Sequence, residues 1–189
     1  MSEISVDDVQ LQQRYEALKD RIRAAGSAVV AFSGGVDSSL LAYVAARELG
    51  EKMLAITITS EFDNPGATEA AKTFTEKHAI PHKILPMQLL TNEQIAANPV
   101  DRCYYCKKMI METLKRYAQQ NSYAHVIEGQ NVDDAGDYRP GSRAVKETGT
   151  ISPLMEAGLT KADIRELSRL LGLETWDAPS SPCMATRIP

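Results

Sequence analysis

Residues 29–39 read Val29-Val30-Ala31-Phe32-Ser33-Gly34-Gly35-Val36-Asp37-Ser38-Ser39. The apolar run from Ala28 to Phe32 is typical of a buried strand, and it ends in a Ser-Gly-Gly turn. Apolar residues at helical spacing follow and predict a helix that ends near Gly50. The stretch therefore predicts a strand, a tight loop and the start of a helix.

This junction is suited to binding an anion, because unpaired backbone N–H groups and the positive end of the helix dipole point at one place. Gly34 and Gly35 lack the β-carbons that would keep a phosphate at a distance. Further hydroxyl donors come from Ser33, Ser38 and Ser39. Asp37 lies in the same loop, and a carboxylate fits there when Mg²⁺ binds together with the phosphates. The alternative is a glycine-rich turn with a capping Ser and Asp.

Composition indicates a soluble globular chain. It has 189 residues, 43% hydrophobic and 24% charged, which is enough for one well-buried domain. The formal net charge is -4 and the basic residues are dispersed, which argues against a nucleic-acid partner. The sequence has no run of about 18 apolar residues, and its N-terminus is polar. We therefore expect a cytoplasmic protein without a membrane span.

Strand and helix patterns alternate along the chain and predict an α/β fold. Beyond residues 28–32, strands are predicted at 53–59, 82–86 and 125–128, with a short fifth strand near 151–154. Helices are predicted at 6–25, 67–78, 92–97, 105–121 and 161–171, with a long loop at 133–147. This order predicts a doubly wound, mostly parallel sheet with helices on both faces. We expect residues 1–175 to form this domain and 176–189 to begin a C-terminal segment that is cut short.

Three polar stretches follow predicted strands and should meet at the carboxyl edge of the sheet: residues 33–38, 60–63 and 128–134. Glu128, Asp133 and Asp134 offer carboxylates there, and Glu128 and Asp133 are candidates for binding the cofactor. Asp133 or Asp134 either shares Mg²⁺ with Asp37 or belongs to a solvated acidic loop. Two basic residues are further candidates. Arg139 either reaches a phosphate or lies in a surface turn, and Lys161 either touches phosphate or is exposed.

The three cysteines are Cys103 and Cys106, in a C-x-x-C, and Cys183. An odd number without a secretion signal argues against a disulfide framework. Three interpretations remain: inert buried cysteines, a redox pair at a helix start, or a metal site of three thiolates with an open position. A [4Fe–4S] cluster held by three cysteines has such an open iron.

The pattern Ser33-Gly-Gly-Val-Asp-Ser38 resembles the pyrophosphate loop (PP-loop) of N-type ATP pyrophosphatases. The resemblance implies an adenine-nucleotide α-hydrolase-like fold, in which the loop binds ATP. It also implies cleavage between the α and β phosphates, with transfer of AMP to a substrate.

Four stretches together resemble the LarE family of ATP-dependent sulfur transferases: residues 33–38, Asp101-Arg-Cys-Tyr-Tyr-Cys-Lys-Lys108, Asp137-Tyr-Arg-Pro-Gly141 and Pro182-Cys-Met-Ala-Thr-Arg187. The resemblance runs from about Tyr15 to Pro189. It implies adenylation of a carboxylate of a pyridinium mononucleotide, followed by displacement of AMP by sulfur, in synthesis of the nickel-pincer nucleotide cofactor. Relatives continue into a C-terminal domain with basic residues for the substrate phosphate, and this chain ends before it.

The family has two sulfur sources. One form sacrifices a single cysteine, and the other holds an iron–sulfur cluster on three cysteines and carries an extra sulfide. The resemblance favours the cluster form here, on Cys103, Cys106 and Cys183, with a sacrificial Cys183 as the alternative. Thr186 and Arg187 are candidates for gripping the substrate phosphate or AMP. Together with Cys183 and Asp37, Arg187 forms the catalytic set we expect.

Other functions are compatible with an ATP-pyrophosphatase loop. They are a tRNA thiolase, an amide-forming ligase of the NAD-synthetase kind, and a nucleotide-binding module without catalysis. The cysteines argue against the amide ligase, and the absence of a basic block argues against tRNA. We expect a small nucleotide substrate, a sulfide donor and assembly as a homo-oligomer.

Overall fold

The computed structural model describes residues 8–64, 66–135 and 140–179. Its centre is a parallel sheet of four strands: β1 (Ala28–Ala31), β2 (Met53–Thr59), β3 (His82–Pro86) and β4 (His125–Ile127). The strand order is β3-β2-β1-β4. Ala28 pairs with Met53 of β2 on one side and with His125 of β4 on the other. The predicted parallel α/β fold is confirmed.

Helices cover both faces of this sheet. They are α1 (Val9–Ala25), α2 (Val36–Leu49), α3 (Ala67–Lys77), α4 (Glu93–Ala96), α5 (Arg102–Gln120), α6 (Pro140–Thr148), α7 (Pro153–Glu156) and α8 (Lys161–Leu170). Single 3₁₀ turns lie at Gly50–Lys52, Leu89–Thr91 and Val132–Ala135.

The alternation of side chains along β1 explains the two helix layers, because successive residues of a strand point to opposite faces. Val30 belongs to the apolar cluster that β1 forms with α1, α2 and α8. Its neighbour Val29 belongs to a second cluster, with Met111 and Leu114 of α5. Both valines are fully buried, which accounts for the unbroken apolar run in the sequence.

The strand order places the loops that follow β1 and β4 side by side. The chain moves from β1 outward through β2 to β3, and then returns to add β4 on the other side of β1. The strand order therefore changes direction between β1 and β4. Ligands of doubly wound sheets bind at such a point, outside the carboxyl ends of the strands.

Two predicted elements were wrong in their details. Instead of a fifth strand at 151–154, only Ile151 makes a single bridge, to Ile127, and Pro153 begins the short helix α7. The predicted loop at 133–147 includes the 3₁₀ turn after β4 and most of α6. Pro140 stands at the first position of α6, where a missing N–H costs nothing.

The first helix starts later than predicted. Asp8 caps α1 with its carboxylate, which accepts hydrogen bonds from the backbone nitrogens of Gln10 and Leu11. In the described part of the chain, no helix combines the length and apolar character needed to cross a membrane.

Candidate active site

The loop after β1 leads directly into α2, as the sequence predicts. Gly34 has a φ of 78°, a left-handed conformation that residues with a β-carbon rarely adopt. Gly35 is the N-cap of α2 and accepts the first helical hydrogen bond, from the nitrogen of Ser39 at 2.9 Å. The first turn of α2 therefore presents backbone N–H groups that have no acceptor within the helix.

The serines of this loop have different roles. The hydroxyl of Ser38 contacts the nitrogen of Ser33 at 3.2 Å and its hydroxyl at 3.1 Å, and it donates to the carbonyl of Gly35 at 3.1 Å. Ser38 thus holds the loop in shape. Ser39 is fully buried, and its hydroxyl has no hydrogen-bond partner among the described residues. Contact of Ser33, Ser38 and Ser39 with a ligand remains a prediction.

Asp37 joins three segments that are far apart in sequence. Its Oδ1 accepts a hydrogen bond from the side-chain amide of Asn131 at 3.3 Å. Its Oδ2 lies 2.5 Å from Nζ of Lys161, the first residue of α8. The ammonium and carboxylate are 39% and 23% exposed, so the ion pair faces the crevice.

The two acidic residues after β4 brace the backbone around this ion pair. Asp133 Oδ2 accepts from the nitrogen of Lys161 at 2.8 Å, and Asp134 Oδ2 accepts from the nitrogen of Asn131 at 3.0 Å. Within the described ranges, no three His, Cys, Asp or Glu side chains are grouped as metal ligands. A cation at Asp37 would therefore take further ligands from phosphate oxygens and water, as Mg²⁺ commonly does.

These elements surround a cavity of about 770 Å³, within the size range of small-molecule sites. It is lined by Ser33, Gly34, Gly35, Val36, Asp37, Asn64, Gly66, Ala67, Ala70, Asn131, Asp133, Asp134, Lys161, Arg165, Ala178 and Pro179. The predicted meeting of the loops after β1 and β4 is present. Of the stretch at 60–63, Ser60 and Glu61 instead line a second, shallower hollow near β3.

Glu128 lies behind the cavity rather than in its lining. Its side chain is buried, with Oε2 3.2 Å from Nζ of Lys107 and Oε1 2.6 Å from the hydroxyl of Ser152. The nitrogen of Gln130 also donates to Oε1, at 3.0 Å. The carboxylate therefore ties the end of β4 to α5. A direct contact of Glu128 with the cofactor stays a prediction.

The C-x-x-C lies in the first turn of α5. Helices antiparallel to the strands of such a sheet begin at its carboxyl edge, so the motif is on the same side as the cavity. Cys103 is exposed and Cys106 is partly buried. Lys107 follows directly and reaches Glu128. The other predicted site residues, Arg139, Cys183, Thr186 and Arg187, lie outside the described residues.

Helix α6 is fastened to α5 beside the C-x-x-C. The hydroxyl of Tyr104 donates to Glu147 at 2.6 Å, and this hydrogen bond lowers the pKa of Glu147. Arg143 stacks over the Tyr104 ring at 3.7 Å from its centre. Nζ of Lys108 lies 3.2 Å from the same hydroxyl, which raises the pKa of Lys108. The network fixes the helix that follows residue 139.

Arg165 is a cavity residue that the sequence analysis missed. Its guanidinium donates to the carbonyls of Trp176 at 2.6 Å and Ala178 at 2.9 Å. It thereby holds the chain that leads towards Cys183 along the rim of the cavity. The available signal was its position one helical turn after Lys161, on the same face of α8.

A model of the NAD synthase family matches residues 10–131, which is more than half of the chain and includes the loop after β1. The chain belongs to the NAD synthase family. The matched residues include all four strands, the loop after β1 and the helix α5 with its C-x-x-C. The loop after β4 continues beyond them.

Two relatives align with most of this chain. It is 40% identical over 179 residues to an uncharacterised protein of Synechocystis sp., covering 95% of this chain and 67% of the relative. It is 35% identical over 174 residues to the pyridinium-3,5-bisthiocarboxylic acid mononucleotide synthase of Lactiplantibacillus plantarum, covering 92% and 62%. The predicted resemblance to the LarE family is thereby confirmed. The chain spans about three fifths to two thirds of these relatives.

Solved structures show the same fold at low identity. The NMN synthetase of Francisella tularensis has a TM-score of 0.68 at 23% identity, covering 91% of this chain and 74% of that one. The U34-tRNA thiolase NcsA of Methanococcus maripaludis, determined with its [4Fe-4S] cluster, has a TM-score of 0.63 at 18% identity, covering 94% and 70%. These likenesses support the architecture of the family member.

Proposed function

We propose that the chain is an ATP-dependent, adenylating sulfur transferase that converts a carboxylate of a pyridinium mononucleotide into a thiocarboxylate. The observation that carries the proposal is the 35% identity, over 92% of the chain, to a synthase whose name states that product. Membership of the NAD synthase family supports the use of ATP. The use of the product in nickel-pincer nucleotide synthesis is part of the same proposal.

The loop after β1 is the proposed triphosphate site. The N–H groups at the start of α2 would bind the β and γ phosphates, with Gly34 and Gly35 allowing close approach. Lys161, which also lines the cavity, adds a positive charge. Asp37 would hold Mg²⁺, and the metal ion would neutralise the negative charge that develops on the departing pyrophosphate.

The proposed reaction has two steps, adenylation of the carboxylate and transfer of sulfur. A carboxylate oxygen of the substrate attacks the α phosphorus, and the bond to the bridging oxygen breaks to release pyrophosphate. The carboxylate is now an acyl adenylate, from which AMP can leave. A sulfur nucleophile then attacks the acyl carbon and expels AMP, which leaves a thiocarboxylate. Fixed donors of the loop favour the first step because they match charge that forms in its transition state.

Cys103, Cys106 and Cys183 are proposed to hold the cluster that delivers the sulfur. Cys103 and Cys106 are three residues apart on one helix, an arrangement that lets two thiolates point the same way. They fit a three-thiolate [4Fe–4S] cluster, whose open iron would carry an additional sulfide. The tRNA thiolase of Methanococcus maripaludis shares the fold and carries a [4Fe-4S] cluster, which supports this form. A sacrificial Cys183 is the alternative.

The segment after Pro179 is proposed to complete the site. Pro179 lines the cavity, and four residues later comes Cys183. A fully extended chain spans about 3.6 Å per residue, or about 14 Å over four residues, and Cys183 is therefore proposed to act at the cavity. Arg187 and Thr186 are proposed to bind the phosphate of the substrate or of AMP. Arg139 is likewise proposed to bind a phosphate. A homo-oligomer and an external sulfide donor remain predictions.

The proposal is tested by mass spectrometry of the acceptor. The chain is incubated anaerobically with Mg²⁺, ATP, sulfide and the pyridinium biscarboxylic acid mononucleotide. We expect a product in which one oxygen is replaced by sulfur, with formation of AMP. Asp37→Asn should abolish it, and Asp20→Asn, at an exposed carboxylate of α1, should not. An amide product with ammonia, or no ATP-dependent product, would contradict the proposal.

The sulfur source is tested by iron analysis together with the mass of the protein. After anaerobic reconstitution, Cys103→Ala and Cys106→Ala should each lose most of the bound iron if three thiolates hold a cluster. Unchanged iron content in both variants would exclude that site. In the sacrificial route, the peptide that contains Cys183 should instead lose the mass of H₂S after turnover.

A further inference from the structure

Both carboxylate oxygens of Asp37 have a partner in the structure. Oδ1 accepts from Asn131 at 3.3 Å, and Oδ2 lies 2.5 Å from Nζ of Lys161. The second contact is the shorter one, and it is between opposite charges. A metal ion that binds Asp37 must therefore compete with an ammonium that is already in place.

The ammonium and a divalent cation compete for the negative charge of Asp37. Cations such as Mg²⁺ and Ca²⁺ bind carboxylate oxygens at about 2.0–2.6 Å, which is the distance at which Nζ of Lys161 lies. Two positive charges side by side in a partly enclosed cavity repel each other strongly. Lys161 and a divalent cation thus weaken each other's binding at this carboxylate.

Only the side chain of Lys161 needs to move to free Asp37. The backbone nitrogen of Lys161 is held by Asp133, and Thr160 caps the helix in a reciprocal pair with Asp163. The Lys161 side chain is 39% exposed and flexible. It lines the same cavity as Gly34 and Gly35, where a phosphate would offer the ammonium another partner.

We propose that Lys161 is a latch on the cation site. Without a nucleotide it pairs with Asp37 and weakens the binding of divalent cations. A triphosphate on the loop draws the ammonium away, and the carboxylate then accepts the cation. The cation therefore binds more tightly after the nucleotide than before it. This inference rests on the proposed function, because it assigns the cavity to a nucleotide and its cation.

The test measures Mn²⁺ binding by the loss of the electron paramagnetic resonance signal of free Mn²⁺, with the full chain and no nucleotide. Lys161→Met should bind Mn²⁺ at least about tenfold more tightly than the wild type, since one competing charge is gone. Lys161→Met combined with Asp37→Asn should return to the wild-type value. Lys52→Met, at the opposite edge of the sheet before β2, should change nothing.

A nucleotide analogue with a methylene group between the α and β phosphorus atoms completes the experiment. Because the analogue itself binds Mn²⁺, a sample without protein is subtracted, and the difference in protein-bound Mn²⁺ between the wild type and Lys161→Met should then be smaller than without the analogue. The latch is overturned if wild type and Lys161→Met bind Mn²⁺ equally without nucleotide. Lys161→Gln provides a second variant, and circular dichroism shows that each is folded.

The latch and the proposed function fail in different ways. Enhanced Mn²⁺ binding by Lys161→Met, with no AMP formed from ATP with any carboxylate acceptor, supports the latch and contradicts the transferase. Formation of the sulfur-containing product with no gain in Mn²⁺ binding supports the transferase and contradicts the latch.

Discussion

A β-carbon on Gly129 would lie 3.1 Å from the backbone nitrogen of Ser38. Gly129 follows β4, and Ser38 is in the first turn of α2. The end of one strand therefore rests directly against the helix start that follows the neighbouring strand. Because the opposing atoms are backbone, a side chain at position 129 would have to displace the helix start.

Gly129→Ala is expected to weaken nucleotide binding by about tenfold, because overpacking here costs about 1–3 kcal/mol and moves the phosphate-binding amides. Titration calorimetry with ATP would measure the change. Gly141→Ala is the matched control, since a β-carbon there meets Lys107 at an ordinary 3.6 Å. Equal affinities of both variants and the wild type would show that this contact does not position the loop.

Lys107→Met is expected to lower the free energy of unfolding by about 1 kcal/mol. It leaves the buried carboxylate of Glu128 without its cation, although Ser152 and a backbone nitrogen still donate to it. Urea denaturation gives the value. The neighbouring Lys108→Met breaks a more exposed pair with Glu147 and should cost about 0.5 kcal/mol or less. The same loss in both variants would argue against a special role of Lys107.

Arg165→Met is expected to release the chain around Trp176. The substitution removes two hydrogen bonds from a charged donor to backbone carbonyls, which should raise the rate of chymotrypsin cleavage after Trp176 by roughly tenfold. Arg169→Met, one turn further along α8, breaks an exposed pair with Glu166 and serves as control. Unchanged cleavage in Arg165→Met would mean that the segment is held by other contacts.

Glu174 gives a pH dependence to the same region. Partial burial raises its pKa, but hydrogen bonds from His78, from its own backbone and from Lys77 outweigh this and lower the pKa to about 2. A carboxyl with a lowered pKa stabilises the fold above its ordinary pKa, and this stabilisation is lost as the pH falls from 4.5 towards about 2.

Thermal unfolding between pH 6 and pH 2, roughly the range over which a carboxyl titrates, should show this loss. As the pH falls from 4.5 towards about 2, the melting temperature of the wild type should decrease more than that of Glu174→Gln. Glu51→Gln, at an exposed carboxylate, should follow the wild type. Parallel curves for wild type and Glu174→Gln would exclude the contribution of this carboxylate.

Local patterns made most of the fold predictable. The apolar run before Ser33 and the helical spacing after Gly35 each lie within a few residues, so strand, loop and helix were predicted correctly. Helix α6 was missed because its first residues, Pro140 and Gly141, are typical of turns. Its stability comes instead from burial of Ala144 and from packing against α5.

The site was predictable only in part, because its contacts join distant residues. The meeting of the loops after β1 and β4 follows from parallel strand order. The pairing of Lys161 with Asp37 joins positions 124 residues apart, and no local pattern encodes it. Likewise, the carbonyls bound by Arg165 carry no sequence signal, since every residue has a carbonyl.

Phosphorus NMR of the products of ATP turnover shows which phosphate bond the protein cleaves. With Mg²⁺, sulfide and the pyridinium biscarboxylic acid mononucleotide, we expect AMP and pyrophosphate in equal amounts, dependent on the carboxylate acceptor and absent in Asp37→Asn. ADP and inorganic phosphate as the products would place the cleavage at the γ phosphate and contradict the proposed adenylation.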